Sequence, residues 1–344
     1  MGSRMLHESL AAPGVVRQLL QANGPACAAL GQRLRAQPPA AVLTLARGSS
    51  DHAASYAAYL VMARLGRLVT SLPMSLLTLY DSRLPGEGTL SLAFSQSGQS
   101  PDLVEPTRRL RASGATTVAF VNAEGSPLAA TAEQVLPLHA GEERSVAATK
   151  SCLAQFVAGA QLVAAWQDDD RFAAALAALP ETMDRAAARR WADALPALAT
   201  ADRLYVVGRG PGLAVAAEAA LKFKETCGIQ AEAFSGAEVQ HGPMALVGEG
   251  YPVLVMALRG PAQPGLLALS QTLAARGARV WVVMPEDQSA PPGTVALPLE
   301  PAPLADLDPV TALQSFYPWV EALSRGRGRD PDAPPHLAKV TRTT

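Results

Sequence analysis

Short apolar runs alternate with longer stretches of helical period along the whole chain. Ala41-Val42-Leu43-Thr44-Leu45-Ala46 reads as a buried strand, and residues 51–65 behind it as a helix capped by Ser50 or Asp51. Leu68–Leu72, Thr89–Phe94, Ala115–Val121 and Gln134–Leu138 repeat the strand signature, with a helix from about Asp102 to Ala112 between the second and third of them. These runs are apolar without alternation, the mark of strands buried on both faces, as in a parallel sheet. Residues 146–198 read as two helices, broken near Asp168-Asp169-Asp170 and at Pro180. The pattern then restarts. Arg203–Val207 is a strand, Gly208-Arg209-Gly210 a tight turn and 213–226 a helix. Pro252–Ala257 is a strand, 262–276 a helix and Ala278–Met284 a strand. Residues 285–304 form a loop around a short strand, 309–325 a helix, and the Gly/Pro/charge-rich tail from Gly326 is irregular.

A weak internal repeat follows from this order. Gly48 after the first strand of one half matches Gly208 after the first strand of the other. The expected fold is α/β: two tandem doubly wound subdomains, each a parallel sheet flanked by helices. The expected division is residues 1–200, with an N-terminal helix and the first loops, and 201–344, with the C-terminal tail. In such sheets ligands sit beyond the carboxyl ends of the strands.

Composition narrows the class. Of 344 residues 49% are hydrophobic and 17% charged, which supports a packed core rather than a disordered chain. Twenty-nine basic against 30 acidic residues leave a net charge of -1, so nothing draws the chain to nucleic acid or acidic lipid. Cys27, Cys152 and Cys227 are too scattered for a disulfide framework or a zinc site. No apolar run reaches the ~20 residues of a membrane span, and the N-terminus has no signal-peptide core. A cytoplasmic protein is expected.

Four clusters carry candidate chemistry. Ser95-Gln96-Ser97-Gly98-Gln99-Ser100 joins a buried strand to a helix. Its hydroxyls, amide and glycine-permitted turn meet the free N–H groups of a helix N-terminus, a combination suited to a phosphate monoester. It lacks a Walker-type lysine, which excludes the usual triphosphate cradle. The parallel Gly48-Ser49-Ser50 loop strengthens the phosphate reading, whereas its counterpart Leu258-Arg259-Gly260-Pro261 has lost the hydroxyls. Glu218, Lys222 and Glu225 share one helix face. That spacing usually means a solvated ion-pair ladder, but a carboxylate partly buried beside a sugar can act as a general base. His241 precedes Gly242-Pro243 in a turn, where its imidazole can be aimed. Lys339 lies in a tail that would ordinarily fray; folded over a pocket, its amine could attack a carbonyl.

Together these residues resemble the sugar isomerase (SIS) family. The resemblance rests on Ser95-Gln96-Ser97-Gly98, Arg209-Gly210, Glu218 through Glu225, Glu238-Val239-Gln240-His241-Gly242-Pro243 and the ending Leu337-Ala338-Lys339. More closely, they resemble the isomerase half of glutamine–fructose-6-phosphate aminotransferase and its stand-alone relatives, such as SIS-type glucosamine-6-phosphate deaminases. The resemblance implies two SIS subdomains in a homodimer and a sugar phosphate held by Ser50, Ser95, Gln96, Ser97 and Ser100, with Ser49 beside them. It implies that Glu225 moves a proton between C1 and C2. It implies equally that His241 assists ring opening from the neighbouring subunit, that Lys339 forms a Schiff base with the ketose carbonyl, that Glu218 and Lys222 orient the site, and that Val146 and Ala148 line the sugar.

The sequence departs from the family pattern at two of these places. Ala148 stands where the family has a serine, and Gln240 where a lysine is common. The residues before Ala41 leave no room for a glutaminase domain, so deamination of glucosamine 6-phosphate to fructose 6-phosphate and ammonia is the expected reaction. A 1,2-proton shift requires no metal or organic cofactor. The alternatives are a fructosamine-6-phosphate deglycase, an ammonia-dependent aminotransferase running in reverse, and a non-catalytic sugar phosphate sensor.

Overall fold

The computed structural model describes residues 2–189, 191 and 194–339. The chain forms two compact units. One comprises Gly14–Glu143, Lys150–Ala177 and the segment from Ala338; the other comprises the residues up to Pro13, Arg144–Thr149 and Ala178–Leu337. Helix α1 (Arg4–Ala36) contributes its first turns to the second unit and the rest to the first.

The first unit runs β1 (Ala41–Leu45), α2 (Ser49–Leu65), β2 (Val69–Ser71), α3 (Ser75–Thr78), β3 (Thr89–Ser95), α4 (Pro101–Ala112), β4 (Thr116–Val121), α5 (Pro127–Thr131), β5 (Gln134–Pro137), α6 (Lys150–Gln167) and α7 (Asp170–Ala177). Its parallel sheet has the order β2-β1-β3-β4-β5. The continuous apolar runs explain the burial: β3 and β4 are buried almost throughout. Phe94 and Phe120 lie abreast in the register and stack at 4.3 Å between centroids. Helices α2 and α6 pack so closely that a Cβ on Gly159 would stand 2.8 Å from that of Ala57, while Tyr56 stacks on Phe156.

The second unit runs α8 (Leu179–Ala187), α9 (Leu195–Leu198), β6 (Arg203–Gly208), α10 (Gly212–Lys222), β7 (Gln230–Ser235), β8 (Pro252–Met256), α11 (Gln263–Ala275), β9 (Arg279–Pro285), β10 (Thr294–Leu299) and α12 (Asp308–Gly326). Its sheet order, β10-β9-β8-β6-β7, is the first unit's order again. Both halves are therefore parallel sheets flanked by helices, as the repeat predicts. Trp191, Phe223, Phe316 and Trp319 form an aromatic cluster under α12.

Local boundaries differ from the sequence expectation in instructive ways. Helix α2 begins at Ser49, not 51, because Gly48 takes φ 55° and turns the chain directly off the strand. The helix expected over 213–226 ends its α-helical part at Lys222 and continues as a π turn over Phe223–Cys227, closed by Gly228 at φ 61°. Residues 146–149 are not helical, and Pro180 sits in the first turn of α8, where its missing N–H costs nothing. Strand β7 was not expected at all. The tail is irregular but anchored: the Asp332 carboxylate accepts the N–H groups of Arg4 and Met5, each at 2.8 Å, and so caps α1. No helix among the described residues is long and apolar enough to cross a membrane.

Buried charges in the second unit are paired. The Glu300 carboxylate accepts hydrogen bonds from Arg185 at 2.7 Å and Arg189 at 2.5 Å. Burial would raise its proton affinity, but the two guanidinium groups outweigh this and hold it below the ordinary carboxylate value of 4.5. Stability from this group is therefore present above that value and lost as the pH falls through the depressed one. Unfolding measured against pH should show Glu300→Gln less stable than the wild type at pH 7, with the gap closing in acid. A gap unchanged down to pH 3 would contradict the pairing.

Candidate active site

The strand order 2-1-3-4-5 in the first unit places its switch point between β1 and β3, which pair directly but lead into different connections. Ser49 and Ser50 follow β1, and Ser95, Gln96, Ser97 and Ser100 follow β3. The structure thus brings both serine loops to one edge of one sheet. Ser95 Oγ accepts the Gly98 N–H at 3.0 Å, and Ser97 Oγ accepts that of Gln99 at 3.3 Å. Each hydroxyl keeps its proton to donate, which is what an anion requires. Ser100 occupies the N-cap position of α4, yet its hydroxyl makes no cap hydrogen bond. Gly98 has φ 62°, and a Cβ there would run into the Ser126 side chain, so this turn admits only glycine.

Arg47 is a residue that the sequence reading passed over. β1 and β3 pair in register up to Leu45 and Ala93, so Arg47 and Ser95, each two residues further on, leave the pair at the same end of the sheet. Its half-exposed guanidinium stands 3.4 Å from the Asp102 carboxylate in the first turn of α4. Nearby in sequence, Asp51 is pushed up by burial against the opposing pull of His52 and Arg47. The only advance signal for Arg47 was a cation next to a hydroxyl-rich loop.

In the second unit Glu218 and Lys222 are completely buried, not the solvated ladder that their spacing usually indicates. Lys222 Nζ lies 3.4 Å from Glu218 Oε1 and donates to Glu225 Oε2. Tyr317 of α12 donates its hydroxyl to Glu218 Oε1 at 3.0 Å. The π turn carries Glu225, whose side chain is 18% exposed while its two partners are sealed. The Lys222 cation thus sits between a sealed carboxylate and a more exposed one. His241 is exposed at the end of a 3₁₀ turn over Glu238–Gln240, and Gly242 behind it takes φ 137°. Val146 and Ala148 are half-buried in the short 144–149 segment, which is tied down by Glu8 and by the Asp332 carbonyl. Lys339, in the first unit, donates to the buried carboxylate of Glu143 at 2.9 Å. Among the described residues no cluster has the composition of a metal site.

Two parallel sheets of the order 2-1-3-4-5, one carrying serine loops on both sides of its switch point, define the class: an α/β protein of two tandem doubly wound units. The SIS domain family matches residues 38–165 and 197–290, and the chain belongs to that family. It is 42% identical to a Silicibacter pomeroyi protein provisionally assigned as a phosphosugar isomerase, covering 96% of this chain and 100% of that one with a TM-score of 0.91. The glutamine–fructose-6-phosphate aminotransferase of Aeropyrum pernix is 35% identical over 317 residues, 87% of this chain and 50% of its own length. The chain spans about half the length of the curated relatives it matches. The C-terminal domain of the Francisella tularensis glucosamine–fructose-6-phosphate aminotransferase shares the fold, at 21% identity and a TM-score of 0.86 over 97% of this chain and 98% of that one.

Lys222→Met would strand a sealed Glu218 carboxylate and should cost about 3–5 kcal/mol. Combining it with Glu218→Gln should restore part of that loss, as a double-mutant cycle in denaturant will show. Additive losses would mean that the buried pair is not coupled.

Proposed function

We propose that the protein isomerises and deaminates glucosamine 6-phosphate, or a close amino sugar phosphate, giving fructose 6-phosphate and ammonia. The observation that supports this reading is the pair of serine loops at one switch point, with Ser95 and Ser97 in the second loop accepting backbone N–H groups and keeping their protons to donate. Ser50, Ser95, Gln96, Ser97 and Ser100 hold the phosphate, with Ser49 beside them. Phosphate binding remote from the reacting carbons supplies orientation. His241 assists ring opening. Glu225, oriented by Lys222 and indirectly by Glu218, then carries a proton between C1 and C2 and turns the aldose amine into a ketose imine. Lys339 displaces ammonia from that imine, and water releases the ketose. Val146 and Ala148 line the sugar, and the alanine leaves the substrate one hydroxyl contact fewer than a serine would give.

Ammonia release from glucosamine 6-phosphate is the direct assay. Glu225→Gln should lower it by about 10²–10⁴-fold, the usual worth of a positioned base, while inorganic phosphate still binds. No release by the wild type, or a Glu225→Gln variant of unchanged rate, would refute the reading. Release from fructosamine 6-phosphate instead would favour a deglycase.

The functional unit in this reading is a homodimer in which His241 serves the neighbouring subunit. Its exposure, and that of Leu246 at 68% on the following turn, support this arrangement. Mixed and reannealed Glu225→Gln and His241→Ala chains should then recover about a quarter of wild-type activity, since random pairing rebuilds one intact site in half the dimers. No recovery would place His241 and Glu225 in the same subunit's site.

A further inference from the structure

Lys339 lies in an irregular tail, yet its ammonium is not left to solvent. It reaches a carboxylate 196 positions away, Glu143 Oε2, at 2.9 Å. That carboxylate is 4% exposed. It is held independently of the tail: Ser151 donates its N–H at 3.1 Å and its hydroxyl at 2.6 Å from the first turn of α6. Lys150, also buried, fixes the preceding backbone by donating Nζ to the Glu142 carbonyl at 2.7 Å. The receiving group is thus preorganised within the same unit as the serine loops. Burial pushes the Glu143 carboxyl up, but the Lys339 charge and the Ser151 donors outweigh it and hold the group below the ordinary carboxylate range. The balance depends on the ammonium. Once the amine is neutral, a carboxylate in so dry a place favours its protonated form.

We propose that Glu143 is the positioning residue of Lys339: it docks the tail amine and receives its proton when the amine attacks the ketose imine. This rests on the amino sugar phosphate reading above. The Lys339 ammonium gives one proton to the Glu143 carboxylate, and the freed lone pair forms the new bond to C2. The bond from C2 to the original nitrogen breaks, and that nitrogen leaves as ammonia with the two remaining amine protons and its own. Water then cleaves the lysine imine to the ketose, and the regenerated amine takes its proton back from Glu143. No oxidant or reductant enters.

The test uses the full chain and two readouts. The first needs no substrate: trypsin must draw Lys339 into its own pocket to cut after it. Cleavage there, followed by mass spectrometry, should be slow in the wild type and about tenfold or more faster in Glu143→Gln, the worth of a charged hydrogen bond. The second traps the lysine imine by borohydride in the presence of fructose 6-phosphate. The adduct on Lys339 should fall by a similar factor in Glu143→Gln while affinity for inorganic phosphate is unchanged. Glu143→Asp keeps the charge with a shorter reach; it should give intermediate values in both, and it carries the test if the glutamine variant does not fold. Equal cleavage and equal adduct in wild type and Glu143→Gln overturn the role of Glu143 alone. No adduct in the wild type overturns the reaction reading itself, and the proton role with it.

Discussion

Parallel pairing of β1 with β3 is the constraint on which the first unit's chemistry depends. Parallel strands all end on one edge, and where neighbouring strands lead away in different connections the edge opens into a crevice. Each loop there contains a glycine that lets the backbone turn sharply, Gly48 at φ 55° and Gly98 at φ 62°. The turns bring helix N-termini and serine hydroxyls to the crevice without a fixed cation in the loop itself. Under the proposed reading geometry and dipoles recognise the phosphate, and Arg47, 3.4 Å from Asp102, stands close to the same strand tips.

The second unit repeats the topology with different residues at its strand tips. Its counterpart loop after β8 has lost the hydroxyls, and Arg259 there is locked bidentately onto the buried Asp308. Charge is concentrated instead behind β6, where α10 gives way to the π turn. A fully buried lysine is tolerable only with partners, and Lys222 meets Glu218 and Glu225. The arrangement keeps Glu218 sealed and Glu225 at the boundary, so burial and exposure divide the roles of two chemically similar acids.

Much of this was legible in the chain. Uninterrupted apolar runs named the parallel strands, and the glycines after β1 and β6 revealed the duplication. Strand β7 escaped because it lies at a sheet edge: Gln230 and Glu232 face solvent, so the run lacks the apolar continuity of its neighbours. The α-helical spacing of Glu218, Lys222 and Glu225 was readable, but their burial was not, since it depends on Tyr317 from α12, 99 positions away. The π turn was invisible for the same reason that π turns are rare: nothing in local propensity selects them. Glu143 read as one of two acids in a polar connection. Burial, the two Ser151 donors and the tail's Lys339 distinguish it from the exposed Glu142 only once the chain is folded.

The central claim is that the paired serine loops of the first unit are the anchor for a sugar phosphate. A crystal structure of the protein with fructose 6-phosphate tests this most directly. The account predicts the phosphate within hydrogen-bond distance of Ser50, Ser95, Ser97 and Ser100 and of the N–H groups opening α4. A phosphate bound elsewhere, with those hydroxyls unoccupied at saturating ligand, would contradict it.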